Sequence, residues 1–416
     1  MSTNKHIYLC LAKMSDTGME QKYIQEAFDT NWVVPLGPNV NGFERDIEEY
    51  LRDKRKVVAL SSCTAALHLA LMLLGVGRDD EVMCQDLSFI ASSNPVTYCG
   101  AKPVFIDSDP DTWNMDPELL EKAINDRMSV TGRKPKAIIV VDLYGMPAKW
   151  DELSAISKRY GIPIIEDAAN AMGSFYRGDL CGLFGNIATF SFNGNKIITT
   201  SGGGALLCDT PETKQKTVFL STQARENCPY YQHEVVGYNY RMSNIIAGVV
   251  RGQMNYIDEH IAQKKAIYER YREGFKGLPV TMNPFDGKNS EPNYWLSCML
   301  IDKEAMCRQV RSENEPMYIS EYGKTCPTEI LETLAKYNAE GRPIWKPMHM
   351  QPIYRMNGFV TASGNGRGQS NAYIDRGEAV DIGADIFERG LCLPSDNKMT
   401  AEEQDIIIEL IRSCFE

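Results

Sequence analysis

Lys196 stands alone behind an apolar run, Ala188-Thr189-Phe190-Ser191-Phe192, and a small polar turn, Asn193-Gly194-Asn195. Gly202, Gly203 and Gly204 come shortly after it. A P-loop has the opposite order, with its lysine behind the glycines, so this is not one. An amine at the end of a strand can serve as nucleophile and base once burial favours its neutral form. Taken singly, a lone lysine is usually a solvated surface residue. Glu166 and Asp167 end a second apolar run that begins at Ile162. Ligands of open parallel sheets collect at that strand edge. A carboxylate buried there needs a cation, for which a protonated pyridine nitrogen would serve; otherwise Asp167 caps the next helix. The third piece is Ser61-Ser62-Cys63-Thr64-Ala65-Ala66-Leu67-His68. Small residues and a helix N-terminus suit an anion, and the Thr64 hydroxyl adds a donor. Alone, a helix cap is the simpler account. Together, anion site, strand-end acid and lysine point to one composite site.

The elements that must hold these residues follow from the apolar pattern. Strands are predicted over 57–60, 103–106, 137–141, 162–165 and 188–192, with helices over 64–74 and 150–160. Such alternation implies an α/β fold: a mostly parallel central sheet covered by helices. A long helical stretch over 243–275 leads out of this unit. Beyond it, Pro279, Pro284 and Pro292 break the pattern. A strand over 294–301 and helices over 328–337 and 401–415 suggest a smaller C-terminal α+β domain. The boundary falls near Lys276, giving residues 1–275 as N-terminal segment and large domain and 276–416 as small domain. Residues 358–377 read as a loop.

A length of 416 residues suits two such units. The formal net charge of -11 argues against a nucleic-acid binder. The apolar runs are too short to cross a membrane, and residues 1–8 lack the apolar core of a signal peptide. Twelve cysteines form no C-x-x-C pair, and five histidines show no ligand spacing. No metal site is therefore expected, and reduced thiols in the cytoplasm are.

Further segments stand in a telling order. They are Thr30-Asn31-Trp32-Val33-Val34-Pro35, Gly100-Ala101-Lys102-Pro103-Val104-Phe105-Ile106-Asp107, Glu166-Asp167-Ala168-Ala169, Gly237-Tyr238-Asn239-Tyr240-Arg241-Met242-Ser243 and Arg342-Pro343-Ile344-Trp345-Lys346-Pro347-Met348-His349. With Lys196 and the Thr64 helix, they make the chain resemble the DegT/DnrJ-type nucleotide-sugar aminotransferases. These belong to the PLP-dependent transferases of fold type I, the aspartate aminotransferase superfamily.

The resemblance implies pyridoxal 5'-phosphate (PLP) as cofactor, with Lys196 as its covalent anchor and the proton-moving base. Related sugar dehydratases have histidine at that position, so the lysine favours amination. Asp167 would keep the pyridine nitrogen protonated. Thr64, Ala65 and Ser191 would hold the phosphate, Phe89 would stack on the ring, and Asn170 stands where glutamine is common near the cofactor. Asn239 would reach the phosphate from a neighbouring subunit, making the active form a homodimer. Asn31, Trp32, Val33, Val34, Cys63, Trp345, Lys346, Pro347, Met348 and His349 match substrate-contact positions, and Arg241 and Lys346 would meet a diphosphate. L-glutamate is the implied amino donor. Asn193 to Gly204 and Ser221 to Cys228 resemble the enzymes that aminate UDP-4-keto-6-deoxy-GlcNAc on the bacillosamine route. A GDP- or dTDP-linked keto sugar, or a PLP-dependent dehydration, are the other implied reactions.

Overall fold

The computed structural model describes residues 5–285, 287–311, 316–362 and 381–416. Among them, eight strands form the main sheet, labelled in chain order. They are β1 Lys56–Leu60, β2 Glu81–Gln85, β3 Lys102–Ile106, β4 Ala137–Val141, β5 Ile164–Asp167, β6 Ile187–Ser191, β7 Gly204–Cys208 and β8 Phe359–Val360. Their order across the sheet is β1-β7-β6-β5-β4-β2-β3-β8. From β6 to β8 all neighbours are parallel, whereas β7 runs antiparallel to both β6 and β1.

Side chains alternate across a strand, and both faces here are buried. In β4, Ala137 and Ile139 enter one core with Leu67, Leu69 and Phe105, while Ile138 and Val140 enter another with Leu120, Trp150 and Leu153. In β1, Val58 and Leu60 join the first core, and Val57 and Ala59 a third around Phe43, Ile47 and Phe190. Continuous apolar runs are what two covered faces require.

A second, antiparallel sheet orders Val280–Met282, Cys298–Ile301, Gly390–Cys392 and Arg342–Pro343. Helices Ile257–Gly274, Pro327–Lys336 and Ala401–Ser413 supply Tyr271, Ile330, Ile407 and Ile411 to its core.

Four predicted elements differ. The strand expected over 162–165 begins at Ile164, because Pro163 has no amide to give a ladder. Glu166 and Asp167 thus lie within β5, opposite Val140 and Val141. The strand expected over 294–301 is confined to Cys298–Ile301, because Tyr294 takes a left-handed φ of 54°. The single helix over 243–275 divides into Asn244–Gln253, a 3-10 turn and Ile257–Gly274. At the break, the Gln253 side chain accepts the Thr199 amide at 2.8 Å. Within the expected loop 358–377, Phe359 and Val360 form β8, paired with Phe105 and Ile106. Residues 363–377 of that loop lie outside the described residues.

Candidate active site

The carboxyl ends of β4, β5 and β6, together with the start of helix Cys63–Leu73, surround a cavity of about 310 Å³. β5 sorts its two acids to opposite sides, as strand alternation demands. Glu166 turns away and accepts backbone amides from Gly182, Phe184 (2.8 Å) and Gly185 (3.0 Å). Asp167 lines the cavity at 3 % exposure. It accepts Ser92 Oγ at 2.6 Å and the Ala169 amide at 3.1 Å. No ion pair reaches it among the described residues. Burial therefore pushes its carboxyl above the ordinary range despite the Ser92 hydrogen bond.

Lys196, half-buried, enters from the turn after β6. Its Nζ donates to Asn170 Oδ1 at 2.7 Å and lies 4.1 Å from the centre of the Trp295 ring. Burial lowers the amine to about 8, even with the Asp167 carboxylate nearby. It lines the cavity.

Helix Cys63–Leu73 is capped by Ser62, whose Oγ accepts the Ala65 amide at 3.0 Å. The Cys63 and Thr64 amides of the first turn have no intrahelical acceptor. Thr64 and Ser191 both line the cavity, and Phe89 and Trp345 wall it with ring centres 5.4 Å apart.

PLP needs an acid for its ring nitrogen, an amine for its aldehyde carbon, anion donors and an apolar wall. A buried carboxylate lacking a cation, across a cavity from an amine of lowered basicity, meets the first two requirements. Thr64 and Ser191 with the first-turn amides meet the third, and Phe89 meets the fourth. The residues fit the group. When bound, PLP supplies an electron-withdrawing ring through which an amino group is exchanged.

Of the residues singled out from the sequence, Cys63, Thr64, Phe89, Asp167, Asn170, Ser191, Lys196 and Trp345 line this one cavity. Ala65 lies one residue deeper, with its amide taken by the cap. Lys346 and Trp345 line an adjoining cleft of about 590 Å³ that shares Asn195 and Trp295 with the cavity. Asn31, Trp32, Val33 and Val34 form an exposed stretch apart from the cavity, where Trp32 O accepts Asn244 Nδ2 at 2.9 Å. Asn239 is exposed and outside its own chain's cavity.

Three expectations need correction. Arg241 does not await a diphosphate: its Nη1 is held by Glu44 Oε1 at 2.8 Å and by Ala59 O at 3.0 Å. Pro347 and Met348 are buried away from the cavity, Met348 at 1 % exposure in the core under helix Cys63–Leu73. His349, at 3 % exposure, is clasped between Asp86 and Asp381 and faces no substrate space.

Sequence reasoning missed Ser92 and Trp295, which touch the two central groups directly. Ser92 carried no signal beyond its place in the segment of Phe89. Trp295 was hidden in an expected strand, and only the left-handed turn at Tyr294 brings it to Lys196.

An amine of lowered basicity and a cation-seeking acid at the carboxyl edge of this sheet define a PLP-dependent aminotransferase of fold type I. The model of the DegT/DnrJ/EryC1/StrS aminotransferase family matches residues 15–412, and the chain belongs to that family. It is similar to EpsN of Bacillus subtilis (strain 168), with 41% identity across 99% of this chain and 96% of that protein. It is also similar to the GDP-perosamine synthase of Caulobacter vibrioides, at 35% identity over 81% of this chain and 84% of that one. Among solved structures, the PLP form of Spr1654 from Streptococcus pneumoniae superposes with a TM-score of 0.81, 25% identity and 99% coverage of both chains. The enzyme is a PLP-dependent sugar aminotransferase.

Proposed function

We propose that the enzyme transfers the amino group of L-glutamate to C4 of a nucleotide-linked 4-keto-6-deoxy sugar, UDP-4-keto-6-deoxy-GlcNAc. The observation that carries transamination is Lys196, an amine lowered to about 8 in a cavity floored by Asp167. Lys196 anchors the cofactor, takes a proton from the donor carbon and later delivers one to sugar C4. Asp167 keeps the ring nitrogen protonated. Thr64 and Ser191 hold the phosphate, Phe89 stacks on the ring, and Asn170 steadies the Lys196 amine.

The adjoining cleft with Lys346 supports room for a nucleotide diphosphate beside the cavity. The UDP sugar is supported by the segments from Asn193 to Gly204 and from Ser221 to Cys228. A GDP-linked keto sugar is the second reading, favoured by the similarity to GDP-perosamine synthases. An exposed Asn239 outside its own cavity supports its donation to a partner copy, and hence a homodimer with shared sites. Twelve unpaired cysteines support a reducing, cytoplasmic setting.

The test is a panel of UDP-, GDP- and dTDP-linked 4-keto-6-deoxy sugars with glutamate as donor. Glutamate alone should shift the visible absorbance of the loaded enzyme, and the UDP sugar should restore it fastest. Comparable turnover of all three would defeat the UDP assignment. Mass measured in solution should be that of a dimer; an active monomer would defeat the shared site.

A further inference from the structure

His349 lies outside the cavity, yet its contacts knot together the chain segments that wall it. Its Nδ1 is 2.6 Å from Asp86 Oδ2, and its Nε2 is 3.0 Å from Asp381 Oδ2. The backbone repeats the bond: the His349 amide donates to Asp86 Oδ1 at 2.8 Å, and the Met348 amide to Asp86 O at 2.9 Å. The imidazole also stacks flat on Phe359 of β8, with ring centres 3.8 Å apart and an interplanar angle of 4°. Burial works against a charged ring here, but Asp86 and Asp381 overcome it and raise His349 to about 10. Asp107 is the further acid of this cluster, coupled to Asp86 and Asp381 by repulsion. An imidazolium between carboxylates is thus retained across the working pH range.

The placement is what matters. Asp86 stands three residues before Phe89, and His349 four residues after Trp345. Among the described residues, Phe89 and Trp345 are two of the three aromatic residues that line the cavity, Trp295 being the third. Behind Trp345 the Tyr144 hydroxyl accepts its amide at 3.1 Å, so this segment is pinned at both ends. Phe89 is further fixed by its short tether to β2, whereas the Trp345 segment belongs to no long element. The clasp on His349 ties the C-terminal end of this segment to the residue after β2, beside the burial of Met348 in the core.

We propose that His349 is a positioning residue: clasped between Asp86 and Asp381, it sets how Trp345 packs against Phe89, and so the shape of the cavity wall that meets the sugar nucleotide, without touching it. The inference rests on a keto-sugar nucleotide being the acceptor, but not on which one. Glutamate, a small donor that reacts at Lys196, should be far less sensitive to the Trp345 wall.

The experiment compares the two half-reactions in the PLP-loaded enzyme, using whichever keto-sugar nucleotide the wild type turns over. If the wild type turns over none of the panel, the functional reading fails before any variant is made. His349→Gln keeps a donor toward one acid and loses the cation. Its KM for the sugar nucleotide should rise about tenfold, while kcat and the glutamate-driven absorbance change stay within about twofold. Removing a cation from beside a buried acid is destabilising and could prevent folding. Asp381→Asn, which keeps the His349–Asp86 pair, is therefore the second variant, with an expected rise of about threefold in the same KM. Combined, the two substitutions should cost no more than His349→Gln alone, because they break one clasp. The proposal is overturned by an unchanged KM in either folded variant. Parallel loss in both half-reactions, the mark of a merely structural role, overturns it equally, as do additive effects in the double variant.

Discussion

Lys196 can attack or abstract only while its amine is neutral, and its surroundings supply that state. Burial lowers it to about 8, while the Asn170 oxygen fixes the Nζ position without adding full charge. Capture of PLP by the cofactor-free protein, followed by visible absorbance, should therefore speed up about fivefold from about pH 7 to 8 and flatten above about pH 9. An ordinary lysine would keep gaining about tenfold per pH unit up to about pH 10. That continued rise would refute the lowered value, and Lys196→Ala should show no covalent capture at any pH. Lys196 and Asp167 stood out in the sequence because Asp167 closes an apolar run and Lys196 follows one across a short polar turn, and strand ends are where such a sheet binds ligands. Arg241 and His349 misled for a shared reason. A charged residue in a suggestive segment reads as a ligand for substrate when its protein counter-charge is remote in sequence. Glu44 is 197 residues from Arg241, and Asp86 is 263 from His349. Those pairings are products of the fold and have no local trace.

At the scale of elements, long apolar runs told their own type, since covered strands must be apolar on both faces. What escaped were features fixed by a partner or by a single backbone angle. A strand of two residues, Phe359–Val360, exists only because β3 offers it an edge. Close approach of elements is likewise invisible until the fold is formed, and Gly204 shows what depends on it. A Cβ there would lie 2.3 Å from Ser62 C and 2.3 Å from Cys63 N, both backbone atoms. The first turn of helix Cys63–Leu73 rests directly on β7, with Thr64 and the free first-turn amides carried at that contact. Gly204→Ala should push the helix start away, costing about 1–3 kcal/mol in denaturant unfolding. It should also weaken PLP retention, measured by titration of the cofactor-free protein. A variant with wild-type stability and retention would show that the helix start is free to move, contrary to this packing.

Across the whole molecule, the C-terminal part of the chain returns to the large sheet. β8 joins β3, His349 joins Asp86, and helix Ile382–Arg389 docks its first turn on Asp107, which accepts the Ile382 and Gly383 amides at 2.9 Å each. The apolar pattern suggested two units and gave no trace of this weld, because its partners are remote in the chain and joined by charge or by backbone hydrogen bonds instead of by apolar period. Burial, then repulsion from Asp381 and Asp86, pushes the Asp107 carboxyl from 3.8 to about 7. A raised carboxyl binds its proton more tightly in the folded chain than in the unfolded one. Its stabilising contribution is complete below the unfolded value and disappears as pH climbs through the folded value. From about pH 5 to 8 the wild type should therefore lose on the order of 2–3 kcal/mol at this weld. Asp107→Asn retains an acceptor for the helix amides but cannot ionise, so the gap between variant and wild type should shift in the variant's favour over that range. Denaturant unfolding at several pH values reads the gap directly. Parallel curves would mean that Asp107 is ionised throughout, and that the His349 imidazolium neutralises its neighbours more fully than the burial of this cluster implies.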